Sequence, residues 1–268
     1  MSIVAVSGPS AEPISLAEAK LHCKVDSDLT ADDTLLSGLI IAARQHVEHY
    51  THQVLVRQAF RGYLPNFQCR IDLLHPLRSV SAINYLDTSN ALQTLDTSVY
   101  VVDQAERPPC IYQAYSQVWP PTWPHPQAVK IDFVAGHVQP YTANASTDTL
   151  SAPSHGYSNG DLVRLSNSGG AVPAGLAVGT NYYVVGAAAD TLQLSATSGG
   201  AAINLTDAGT GSNFLGEVPR GMLQAMLLII GTWYANREAV ITGRSVAAIE
   251  LPLAVDALLN VERVWGEM

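Results

Sequence analysis

The sequence predicts an α+β fold: an α-helical core with a β-rich excursion, plus a small antiparallel β barrel or sandwich inserted into it. Three observations carry this expectation. Apolar residues recur at helical spacing near both ends of the chain, whereas between residues 54 and 134 they fall in short runs separated by turn residues. Residues 138–216 then break with the rest: they are rich in Gly, Ser, Thr, Ala and Asn, and their only charged residues are Asp148, Asp161, Arg164, Asp190 and Asp207. A stretch of this kind between a strand and a helix reads as a module placed in a surface loop. The expected domains are therefore a discontinuous core, 1–137 with 217–268, and an inserted β-domain, 138–216.

The first helix signal is Ile14-Ser15-Leu16-Ala17-Glu18-Ala19-Lys20. Ser15 at the N-cap with Glu18 three residues on forms a capping box, in which each side chain satisfies a backbone donor of the other. The helix is expected to fade by Cys23 or Lys24. A second helix starts near Asp32-Asp33, where carboxylates complement the helix dipole. Its stripe is Leu36, Leu39, Ile40, Ala43, Val47 and Tyr50, with Gln45, Glu48, His49 and His52 on the opposite side. Ile41 lies about 150° from the stripe centre, counting roughly 100° per residue, which makes it a candidate contact if the protein assembles.

Strands are expected over 54–63, 70–74, 82–86, 100–102 and 128–134, with Asp87-Thr88-Ser89-Asn90 as a hairpin turn. In Trp119-Pro120-Pro121-Thr122-Trp123-Pro124-His125-Pro126 four prolines exclude helix. The segment reads as a stiff arm with two aromatic anchors, packed on its own domain or touching a neighbouring subunit. A third helix runs from about Pro219 to Arg237, with Pro219 suited to the first turn. Its expected stripe is Leu223, Met226, Leu227, Ile230 and Tyr234, flanked by Trp233. Leu228 falls roughly opposite and Ile229 well off the stripe, so this helix is expected to be buried on more than one side. A short final helix spans 251–265, with Leu258, Leu259 and Trp265 apolar. Within 138–216, strands are expected over 160–166, 181–185 and 191–195, with Gly-containing turns between them.

Hydrophobic residues make up 47 % and charged residues 14 % of the 268 residues, so the chain packs a core and much of its surface is suited to meeting other protein. The net charge is −9; 138–216 contributes −3 from four Asp and one Arg, leaving −6 elsewhere. Lys and Arg total 14 and form no run, so nothing marks a nucleic-acid grip. Cys23, Cys69 and Cys110 are far apart without a Cys-x-x-Cys, so neither a disulfide framework nor a zinc site is expected. Met1-Ser2-Ile3-Val4 lacks a basic start and an apolar core, and Ala225-Met226-Leu227-Leu228-Ile229-Ile230 is too short to span a bilayer, so synthesis in the cytoplasm and no membrane partner are expected.

His46, His49 and His52 repeat every three residues but do not converge as zinc ligands must. Gly209-Thr210-Gly211 lacks the lysine and context of a phosphate loop. Asp26, Asp28, Asp32 and Asp33 lack the spacing of a calcium loop; solvation of a helix start is expected for them. No nucleophile or acid/base constellation can be assembled, so no enzyme activity, metal or cofactor is expected.

Several segments, in order, carry a resemblance. They are Ile14 to Lys20 as quoted, the Asp32-Asp33 helix ending at Tyr50-Thr51, Pro76-Leu77-Arg78-Ser79-Val80, Ile83-Asn84-Tyr85-Leu86-Asp87 and Val134-Ala135-Gly136. Val218-Pro219, Trp233-Tyr234-Ala235-Asn236-Arg237-Glu238-Ala239-Val240 and Leu251-Pro252-Leu253 complete the series. Together they resemble the head–tail connector (adaptor, head-completion) proteins of tailed bacteriophages, over nearly all of 1–137 and 217–268. The resemblance implies a homo-oligomeric ring, usually of twelve copies, in the virion neck, assembled in the host bacterial cytoplasm. Such a ring docks under the portal protein and gives the tail or stopper its landing surface, while DNA passes through the lumen without sequence-specific contact. It carries over no catalytic residues. The departure is 138–216, where most relatives have a short loop.

Candidate interface residues in such a ring are Ile41, Trp119, Trp123, Leu228, Ile229 and Trp233. His155-Gly156-Tyr157-Ser158-Asn159-Gly160-Asp161 and Thr180-Asn181-Tyr182-Tyr183-Val184-Val185 resemble a β-module of phage tail and fibre proteins. That module is expected to pack against neighbouring virion proteins or decorate the neck, to bind a carbohydrate or other host-surface ligand, or to serve as a spacer with no partner.

Overall fold

A computed structural model describes residues 1–237 and 253–265. Residues 238–240 and 251–252 of the resemblance lie outside the described residues. The chain divides into two compact units, one of Met1–Pro9, His52–His137 and Val264–Met268, the other of Ser10–Thr51 and Val138–Arg263. Among the described residues no helix is long and apolar enough to cross a membrane.

The first unit is built of strands β1 (Ser2–Ala5), β2 (Gln58–Leu64), β3 (Arg70–Asp72), β4 (Leu77–Leu86), β5 (Leu92–Thr94), β6 (Tyr100–Asp103), β7 (Cys110–Gln113) and β8 (Val129–Ala135). They form a five-stranded antiparallel sheet, β1-β2-β8-β4-β5, and a three-stranded one, β3-β7-β6. Alternation fixes the register: Phe60 faces Phe133 and Leu64 faces Val129, and all four are buried. The same pairing puts Arg61 opposite Asp132 on the other face, joined at 2.6 Å. Ile71, Leu73, Ile83, Ile111 and Ile131 complete the core.

The strand expected over 54–63 begins only at Gln58, because Val54 bonds His75 and His137 outside the ladder (Val54 N to His75 O 2.8 Å, His137 N to Val54 O 3.1 Å). The hairpin at 87–90 is present: Asp87 Oδ1 accepts from the Ser89 and Ala91 amides at 2.8 and 3.0 Å, and Asn90 takes a φ of 61°. Edge strands β1 and β5 and the strand β7 were not expected; each is four residues or fewer, too short for a period to show.

The second unit holds helices α1 (Leu16–Cys23), α2 (Asp33–Thr51), α3 (Arg220–Ala235) and α4 (Leu253–Glu262). It also holds β9 (Gln139–Pro140), β10 (Thr142–Asn144), β11 (Thr149–Ser151), β12 (Leu162–Ser168), β13 (Asn181–Val185), β14 (Thr191–Ser195) and β15 (Ser212–Leu215). α3 packs on α1, α2 and α4. The strands form one antiparallel ladder, β10-β11-β14-β13-β12-β15-β9. This corrects the barrel alternative, since among the described residues no sheet is closed into a barrel. The end strands β9 and β10 are carried by one bent segment, in which Pro140 lacks an amide donor and Tyr141 turns into the core at 5 % exposure.

Leu150, Val163, Leu165, Val184, Leu192 and Leu194 form that core. The four aspartates of 138–216 are all consumed as staples: Asp148 accepts from Leu205 N, Asp161 from Ser158 N, Asp190 from Ser154 N, and Asp207 from Ala174 N and Gly209 N, all at 2.8–2.9 Å. A chain segment with little charge thus spends nearly all of it on fixing turns.

Candidate interaction surfaces

Ser15 caps α1, its Oγ accepting from Glu18 N at 3.2 Å, and Lys24 closes the helix in the left-handed region at φ 57°. The reciprocal half of the expected capping box is replaced. Ser15 N donates instead to Ser168 Oγ of β12 at 2.6 Å, and Ser168 Oγ donates to Glu18 Oε2. The next residue, Gly169, has φ +72° and lies so close that a Cβ there would be 2.1 Å from Ser15 Oγ. Only glycine permits both the conformation and the approach. Helix α1 and the seven-stranded sheet therefore share one hydrogen-bonded cap.

Two buried cations organise the helices. Lys20 pairs with Asp33 at 2.6 Å and donates to the carbonyls of Leu29 and Ser27 at 2.7 and 3.4 Å, which ties down the 24–32 loop. Arg44 pairs with Glu12 at 2.7 Å and Glu48 at 2.6 Å. Asp32 accepts from Tyr234 Oη at 2.6 Å and Arg237 at 2.8 Å; the tyrosine bond, then the arginine, hold its carboxyl below the usual range. Asp32 and Asp33 are therefore structural partners and not merely solvated helix-start residues, a difference that long-range pairing alone determines.

The buried stripe of α3 is Met222, Ala225, Met226, Ile229 and Ile230, rotated from the expected one. Ile229 is inside, fully buried within the chain, while Leu223 and Leu227 are half-buried. With Val178, Val218, Pro219 and Arg220 those two leucines line an open cleft of about 550 Å³. Of the cleft's other charged residues, Glu18 is bonded by Ser168 and Glu217 by Arg164 at 3.3 Å.

The remaining candidate interface residues are scattered. Ile41 is 42 % exposed on α2. Leu228 and Trp233 are half-buried, and the Trp233 ring meets His46 edge-on with centroids 6.2 Å apart. In the first unit Trp119 stacks on Phe67 at 4.8 Å against the core, anchoring the proline arm on its own unit, whereas Trp123 is 39 % exposed. Sequence reasoning missed the outer face of α4, where Leu253 and Val261 are 86 % and 83 % exposed, and the 114–118 tip with Tyr115 and Val118 at 99 % and 80 %. The apolar i, i+4, i+8 spacing of Leu253, Ala257 and Val261 was the available signal. Among the described residues no group of three or more metal-ligating side chains occurs.

The first unit also brings together two imidazoles, with rings 6.0 Å apart: the buried His75, whose Nδ1 has no partner among the described residues, and the half-buried His137, whose Nε2 meets Gln53 Oε1 at 2.6 Å. Burial and then Arg107 push His75 down to about 4. Burial, followed by His75, Arg78 and Arg107, pushes His137 down to about 3. Gly136, at φ +143° with a virtual Cβ 2.5 Å from the Arg57 backbone, keeps the chain close at this point.

Residues 13–110 match the family described as phage gp6-like head-tail connector protein. The matched stretch runs from just before α1 to the first residue of β7. The fold is similar over the whole chain to chains of gene transfer agent particles. One is from the neck of an empty particle computed with C6 symmetry, with TM-score 0.57, 18 % identity, and coverage of 100 % of this chain and 98 % of that one. Another is from the virion of a native particle, with TM-score 0.56, 17 % identity and the same coverage. At these identities the likeness is one of fold. A comparison with curated proteins finds no match.

Proposed function

We propose that this chain is a non-enzymatic structural protein of a phage-like virion neck. In this reading copies close into a ring of about twelve between the portal and the tail or stopper, and DNA passes through the lumen. The observation that carries the reading is the connector match over residues 13–110; the whole-chain fold likeness to a neck protein supports it. A net charge of −9 suits a wall that DNA passes without sticking. Residues 138–216 serve as an inserted module that packs with neighbouring virion proteins. Its aromatics Tyr141, Tyr157, Tyr182 and Tyr183 are buried or half-buried, which favours a packing role over a glycan-stacking platform. Of the candidate interface residues, Ile41, Trp123, Leu228 and Trp233 keep surface available for a partner.

Native mass spectrometry and negative-stain microscopy, with and without the portal protein, test the ring. The expected result is a closed oligomer, formed alone or on the portal. A particle that stays monomeric under both conditions overturns the reading.

A further inference from the structure

The buried face of α4 is Val255 and Leu259. Its opposite face carries Leu253, Ala257 and Val261 one helical turn apart, and the two larger side chains are 86 % and 83 % exposed. Hiding a Leu or Val from water is favourable, so this ridge is suited to a partner. The same unit offers a receptor on another surface, the cleft beside α3 floored by Leu223 and Leu227, with Val178 49 % exposed at its edge.

The charges match as well. Asp256 is exposed on the ridge helix and Arg220 is exposed in the cleft, and among the described residues neither makes an ion pair. The cleft's two carboxylates are already bonded by Ser168 and Arg164, which leaves Arg220 as its unused charge. A twofold contact of ridge on ridge would set Asp256 against Asp256. A head-to-tail contact sets it against Arg220 instead, and contacts of that kind generate rings.

We infer that α4 is the ridge by which one copy seats on the next: Leu253, Ala257 and Val261 enter the α3 cleft of the neighbouring copy, with Asp256 against Arg220. A helix laid in a groove through i, i+4, i+8 anchors is a recurring recognition mode. This inference rests on the ring reading above and assigns its subunit contact.

The test is a charge swap in the full-length protein, read as the ring fraction by native mass spectrometry with and without portal protein. Asp256→Arg and Arg220→Asp should each lower the ring fraction about tenfold, and the double variant should restore it. Val261→Asp should abolish the ring while thermal unfolding of the monomer stays unchanged, since Val261 is exposed. If the single variants and Val261→Asp assemble like the unaltered protein, or if the double variant restores nothing, the assignment falls and the ring reading stands. If the variants form rings but no longer bind the portal, the ridge belongs to the portal and the second-copy assignment is overturned. If the unaltered protein forms no ring under either condition, both readings fail together.

Discussion

The two units bury titratable side chains on opposite terms. In the helical unit Lys20 and Arg44 are 6 % and 5 % exposed, and each is met by carboxylates: Asp33 for the lysine, Glu12 and Glu48 for the arginine. In the strand unit His75 is 8 % exposed, and the charges acting on it and on His137 are all positive, from Arg78 and Arg107. A buried cation among carboxylates is held charged, whereas a buried imidazole among cations is held neutral. Burial is the first cause that pushes both histidines down and the arginines add to it, whereas the helical unit's cations are each met by a carboxylate.

The largest expected effect breaks the charged side of this contrast. Arg44→Ala should cost about 3 kcal/mol, because it leaves two acids facing each other in a site built around a cation. Urea unfolding followed through Trp233, in the same unit, measures it. A loss below about 0.5 kcal/mol would mean that the pair merely replaces an apolar contact. Acid probes the neutral side next. His75 and His137 have folded values near 4 and 3 against an ordinary 6.5, so the unfolded chain binds more protons below that value. Stability of the strand unit should be full well above about pH 6.5 and decline as pH falls toward the folded values, by about 2.5 kcal/mol between about pH 7 and 5.5. Fluorescence of Trp119 and Trp123 reports on this unit, and His137→Gln should flatten the slope. An unchanged slope in that variant would place the acid sensitivity elsewhere.

How far the sequence reveals such features depends on whether a local pattern has a direction. Helix α2 has a polar face, so its stripe is legible: Leu36, Ile40, Ala43 and Val47 are buried as the period predicts, and Ile41 is exposed. Helix α3 is apolar nearly all round, so its wheel has no polar side to point away from the core, and the expected stripe is rotated by about one position. That is why Ile229, expected at the surface, packs inside. Burial on more than one side was legible, but α4 supplies part of the cover, and a helix ten residues long cannot be assigned its partner from its own period.

In the sheet of the second unit, β13 and β14 fall where alternation places them. β9, β10, β11 and β15 are four residues or fewer and were not expected. The connector resemblance was legible because it lies in caps and turns fixed in order along the chain. The α4 ridge was not, because the apolar positions expected in that helix were Leu258, Leu259 and Trp265 rather than Leu253, Ala257 and Val261.

Lys20→Met sharpens the comparison at a smaller scale. The ammonium holds Asp33 and two loop carbonyls, and Asp33 keeps some access to water, so the expected loss is about 1.5 kcal/mol. The 24–32 loop should also become the first site cut by a protease. A loop that stays resistant would show that the backbone, not the cation, fixes it.

The smallest effect concerns a neutral group doing in the helical unit what charges do elsewhere. Ser168 receives the Ser15 amide and donates to Glu18, so Ser168→Ala removes two hydrogen bonds at once. A bond to a carboxylate contributes about 1.5–3 kcal/mol, yet Glu18 is placed at the third helical position, from which it can reach back to the Ser15 amide and restore the reciprocal box. The net loss should therefore be near 1 kcal/mol. It should grow in a Glu18→Ala background, where no such return is available to the amide. A double-mutant cycle measures the coupling between Ser168 and Glu18. Zero coupling would mean that the sheet touches the helix cap without supporting it, and a coupling near 1 kcal/mol would make residues 138–216 part of the helix's own stability.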